Sequence, residues 1–95
     1  MFSSESDVKE IKNRMAQAIE KITQSPDPRE MSLGEIIKEI IEYEKRSLAI
    51  AVYGGILKYR HPGLDASDLE NKIRSRIEML YSALTDREKV YRIHR

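Results

Sequence analysis

Two proline-bearing stretches cut this 95-residue chain into three lengths, and what it can fold into follows from what lies between them. Ser25-Pro26-Asp27-Pro28 and His61-Pro62-Gly63 each stop a helix. Proline lacks the amide that the helical ladder needs, and it pushes the residue before it out of the helical region. Within the first length Val8, Ile11, Met15, Ala18 and Ile22 recur at alternating steps of three and four, with Ile19 widening the stripe. That spacing predicts an amphipathic helix over residues 5–24, with Ser4 and Asp7 placed to cap its start.

The second length opens on the strongest local signal in the sequence. Ser32 and Glu35 form a capping box, and Met31 and Ile36 stand at the two positions of a hydrophobic staple. Ile36, Ile37, Ile40, Ile41, Leu48, Val52 and Ile56 then continue a helical pattern, predicting a helix over 33–60. Gly54-Gly55 weakens it, and a strand over 48–53 is the alternative. Helix is preferred because Ala49 and Ala51 are strong helix formers and no second strand candidate exists to pair with this one. Ser67 and Glu70 make another capping box, after which Leu69, Ile73, Ile77, Leu80 and Leu84 share one face, predicting a helix over 68–84. Thr85 with Glu88 repeats the pattern and introduces Val90 and Ile93, which points to a short fourth helix over 86–94 or a bent continuation of the third. The fold class expected is all-α: one domain over 1–95, a small antiparallel bundle of three main helices plus a short C-terminal one.

Composition narrows the functional classes. The chain has no cysteine, which removes disulfide frameworks, thiolate zinc sites and cysteine nucleophiles together. Its first residues carry neither the basic stretch nor the apolar core of a signal peptide. The longest nearly apolar run, residues 48–57, falls far short of the ~20 residues a membrane span needs. A cytoplasmic chain without membrane association is the expectation. Few amides alongside abundant Glu, Lys, Arg and Ile give it the bias of proteins from hot environments. Residues 1–47 carry 8 basic and 10 acidic side chains and residues 48–95 carry 9 and 6, so the halves are −2 and +3. Values that mild suit complementary packing as well as they suit a polyanion.

Few residues suggest chemistry. Glu39 and Glu42 stand three apart, as do Asp65 and Asp68, a spacing that resembles the all-helical nucleoside-triphosphate pyrophosphohydrolases of the MazG type. That resemblance implies paired carboxylates on facing helices holding magnesium for phosphoanhydride hydrolysis. The chain departs from it at Lys38, where the family has a further acid. Arg87 and His94, six residues between them, are similar in spacing to the Arg-to-His pair of HEPN-type helical ribonucleases, with Glu88 where a polar neighbour is usual. His61 and His94 have no partner at metal-ligand spacing. No catalytic group, metal or cofactor is therefore assigned. Lys72, Arg74, Arg76, Arg87, Lys89, Arg92 and Arg95 form a basic set that could face a phosphate backbone, although Asp68, Glu70, Glu78, Asp86 and Glu88 are interspersed among them.

Residues 48–57 are the most informative stretch. Ser47, Ala51 and Gly55 form a ridge of small side chains, and Leu48, Val52 and Ile56 a bulky ridge beside it. A helix apolar almost all round is a helix to be buried on every side. Two neighbouring helices cover two sides, and a second copy of the chain is the simplest supplier of another. The expected function is a non-enzymatic interaction module, an accessory or scaffold subunit that forms a homo-oligomer and binds a larger protein. Nucleic-acid association through the basic set is the second expectation, and a magnesium-dependent nucleotide hydrolase at the four carboxylates the third.

Overall fold

The computed structural model describes residues 5–93, and the side chains of residues 6–88. It contains α1 (Glu5–Thr23), a 3-10 turn (Pro28–Glu30), α2 (Leu33–Arg60) and α3 (Ser67–Ile93), with no strand among the described residues. α1 and α2 both pack on α3 and barely on each other, and the 3-10 turn rests on α3 as well. The three helices run up, down and up around α3.

The starts and stops have identifiable causes. At the head of α2 the Ser32 hydroxyl accepts the Glu35 amide at 3.2 Å, and the Glu35 carboxylate accepts the Ser32 amide at 3.2 Å. The Ser32 hydroxyl first and then the Ser32 amide, both acting on the Glu35 carboxylate, hold it below its ordinary value. Met31 and Ile36, the staple pair, are both buried in the core. α2 ends at His61, whose amide donates to the Leu57 carbonyl at 2.8 Å just before Pro62. The helix passes unbroken through Gly54-Gly55, so the strand alternative is not taken.

Two expected boundaries are corrected. Ser67 does not cap α3 from outside but is its first residue. The capping is done by Asp65, whose carboxylate accepts the Ser67 amide at 2.9 Å and the Ser67 hydroxyl as well. Those bonds lower the Asp65 pKa, the hydroxyl first. Glu70, freed from a capping box, reaches along the helix to Arg74 at 3.0 Å. The separate helix expected over 86–94 is absent from the described residues, because α3 continues without a break to Ile93. Thr85 could cap a new helix only if the preceding one ended there, and Tyr81-Ser82-Ala83-Leu84 contains neither proline nor glycine to end it.

The core is made by Ile22, Met31, Ile36, Ile40, Tyr43, Ile73, Leu80 and Ala83, with Ile50, Leu69, Ile77 and Leu84 packed partly against it. Leu64, buried at the α2–α3 connection, closes the foot of the pair. This core serves only part of the chain. The molecule measures 59 × 23 × 17 Å, and its radius of gyration is 16.6 Å, against about 12 Å for a compact domain of this length.

Replacing Ser32 by Ala is expected to remove a cap contribution of about 1 kcal/mol, read as a lower urea midpoint at unchanged slope. Thr85→Ala, inside a continuous helix, is expected to stay within about 0.5 kcal/mol of the parent.

Candidate interaction surface

α2 carries two apolar faces where its sequence pattern reads as one. Ile36, Ile40 and Tyr43 are buried, while Leu33, Ile37, Ile41, Leu48, Val52, Ile56 and Tyr59 are exposed. The steps of four, four, seven, four, four and three between the exposed residues keep them on one side of a 3.6-residue helix. They therefore form a stripe along its whole length. Exposure reaches 66% at Leu48 and 86% at Tyr59. Glu44 and Lys45 interrupt the stripe between Ile41 and Leu48, and Glu44 lies on the side toward α3. It faces Tyr81 of α3, whose phenol is raised first by desolvation and then by that carboxylate.

The segment expected to mediate self-association divides between the two faces. Leu48, Val52 and Ile56 stand on the open stripe, Ala51 and Gly55 are exposed, and Ser47 is half-buried. A Cβ added at Gly55 would meet nothing within 4 Å, whereas one at Gly54 would touch Ile50 at 3.6 Å. Ile50, Ala51, Gly54 and Gly55 line an open hollow of about 400 Å³, closed below by Ala66, Ser67 and Glu70 at the start of α3. Large side chains thus run through both halves of the stripe, and a depression borders the second. The extension of the surface through Leu33, Ile37, Ile41 and Tyr59 was not separated from the core pattern in the sequence. The signal that finds it is the second set of spacings, offset by one from Ile36 and Ile40.

The basic set is not gathered into one surface. Arg76 is buried at 4% exposure. Its guanidinium donates to Glu39 at 3.0 Å, to the Pro26 carbonyl at 2.8 Å and to the Met31 sulfur at 3.4 Å. Its Nε is buried without a partner among the described residues. Arg87 donates to the carbonyls of Arg29 and Met31. Both arginines hold the α1–α2 connection against α3, which explains their cationic character without a phosphate. Arg74 pairs with Glu70, and Lys72 is exposed. The side chains of Lys89 and Arg92, with Arg95, lie outside the described residues, as does His94 of the Arg87–His94 spacing.

The four carboxylates of the hydrolase resemblance are not brought together either. Glu39 is taken by Arg76, and Glu42 pairs with Arg46 at 3.0 Å. Asp65 and Asp68 sit at the opposite end of the α2–α3 pair. Among the described residues no group of three or more His, Asp or Glu side chains is arranged to hold a metal ion, and no helix is long and apolar enough to cross a membrane.

Two outcomes test the clamp. Glu39→Ala leaves the Arg76 charge buried and unpaired, and is expected to lower stability by about 3 kcal/mol. The double change Glu39→Met with Arg76→Leu is expected to cost much less, both being read by urea unfolding. In the connection itself, Asp27 accepts the Arg29 guanidinium at 2.8 Å and the Arg29 amide at 2.9 Å. Those bonds, the side-chain one first, hold its pKa down at about 2 from an ordinary 3.8. A depressed carboxyl contributes stability above its unfolded pKa and loses that contribution as pH falls through the folded one. The difference in melting midpoint between the parent and Asp27→Asn is therefore expected to be constant near neutrality and to shrink as pH falls from 3.8 to about 2.

No family model, no curated protein sequence and no solved structure matches this chain, so what it does must be argued from its own surface.

Proposed function

We propose that this chain is a non-enzymatic helical interaction module that associates with a second copy of itself through the open stripe of α2, and that the assembly serves as an accessory or scaffold subunit for a larger protein. The observation that carries this reading is the stripe from Leu33 to Tyr59, seven large apolar side chains in line and each at least 42% exposed. Scattered apolar residues on a surface need no explanation, but a stripe spanning a helix of 28 residues does.

The surface area supports the same reading. The chain exposes 7370 Å², where a compact monomer of its mass would expose about 5,700 Å². The excess, roughly 1,700 Å², is about twice the ~800 Å² that each partner contributes to a standard stable interface. A second copy is the simplest cover, because it brings an identical unpartnered stripe that also needs burying.

Sedimentation velocity and equilibrium decide the point. The parent is expected to sediment as a dimer or larger at micromolar concentration. Leu48→Glu, at a side chain 66% exposed, is expected to remain helical by circular dichroism and to sediment as a monomer. A parent that stays monomeric at high micromolar concentration, or a folded Leu48→Glu as associated as the parent, overturns the reading.

A further inference from the structure

We infer that the second copy lies antiparallel along α2, with Ile37 and Ile41 of each copy set level with Gly55 and Ala51 of the other. This rests on the self-association proposed above and adds the direction and register of the contact. The stripe begins at Leu33 and ends at Tyr59, so full overlap of two antiparallel copies places the two-fold axis beside Arg46. Ile37 then falls level with Gly55, Ile41 with Ala51, and Leu33 with Tyr59.

Size, space and charge agree on that register. Ile37 and Ile41 project from the first half of α2 with 42% and 52% exposure. Ala51 and Gly55 line the hollow of about 400 Å³ in the second half, and nothing stands within 4 Å of where a Gly55 Cβ would be. An antiparallel copy sets Ile37 and Ile41 level with the small residues Gly55 and Ala51 of its partner, whereas a parallel copy in register sets those small residues against themselves. The charges run the same way. Over residues 33–46, Glu35, Glu39, Glu42 and Glu44 against Lys38, Lys45 and Arg46 leave −1, while Lys58 and Arg60 give residues 47–60 a charge of +2. Antiparallel pairing sets each negative half beside a positive one and opposes the two helix dipoles.

The absence of native cysteine makes the arrangement directly readable. Leu33→Cys and Tyr59→Cys place single thiols about 39 Å apart at the two ends of the stripe. Each variant is treated with a short bismaleimide, alone and after the two are mixed and allowed to exchange subunits. Cross-linked dimer is expected in the mixture and not from either variant alone. Gly55→Leu, which has room in the single chain, is expected to stay folded and to weaken association by on the order of tenfold, because it overfills the place taken by Ile37. Cross-linked homodimer from each variant alone, with no cross-linked heterodimer in the mixture, establishes a parallel pair and overturns the inference while leaving self-association intact. An associated protein that gives no product in any arm overturns pairing along α2. A parent that sediments as a monomer removes the underlying proposal itself, and is seen before any cross-linker is added.

Discussion

The buried guanidinium of Arg76 is the contact on which the rest of the arrangement depends. From the middle of α3 it reaches Glu39 on α2 and two groups of the α1–α2 connection, the Pro26 carbonyl and the Met31 sulfur. A lysine could not do this, since its single ammonium has no fork with which to bridge a carboxylate, a carbonyl and a thioether at once. Removing such a charge from water carries a large desolvation penalty, recovered only when the geometry supplies good partners. The contact therefore contributes specificity as much as stability. It sets which part of the proline-broken connection lies on α3, and hence where Ser32 can begin α2.

Once the connection is fixed, the covering of α2 is decided. Arg87 repeats the attachment farther along α3, donating to the carbonyls of Arg29 and Met31. α3 is then occupied on one side by the connection and α1 and on another by α2, so α1 has little surface left to offer α2. The face of α2 carrying Ile36, Ile40 and Tyr43 is closed by α3. The stripe beside it has no element of its own chain left to meet. The elongated shape and the large exposed area follow from this shortage of cover.

The architecture was legible in the sequence because its determinants are local. Proline placement, the Ser32–Glu35 box and the alternating three and four steps each act within a turn or two, and α1 and α2 stand where those signals put them, while α3 runs past residue 84 to Ile93. Ser67 misled because Asp65, two residues earlier, accepts the Ser67 amide that the Glu70 carboxylate of a capping box would have taken. The charges were the least legible. Arg76 and Arg74 look alike in sequence, yet one is in the core and the other on the surface. What separates them is rotation about α3, with Arg76 sharing the side of Ile73 and Leu80, a neighbour relation that a list of basic residues does not contain. Likewise Ile36 and Ile37 are adjacent letters of one apolar run, and only the direction of α3 tells which is core and which is open.

The glycine pair carries the last step. Each glycine within a helix costs about 1 kcal/mol relative to alanine, and neither has a backbone that requires one, since no residue described has a positive φ. At Gly54 the single chain gives no steric reason for glycine, because a Cβ there would meet Ile50 at an ordinary contact distance of 3.6 Å. Gly55 has none either, since the space above it is open. Alanine would fit at that position and strengthen the helix. A small residue beside an exposed apolar stripe leaves room for a neighbour to approach the backbone closely from outside. In the antiparallel pair proposed above, the first half of the same helix has the length, the apolar character and the opposite charge to be that neighbour, and it sets Ile37 level with the weakest helical position in α2.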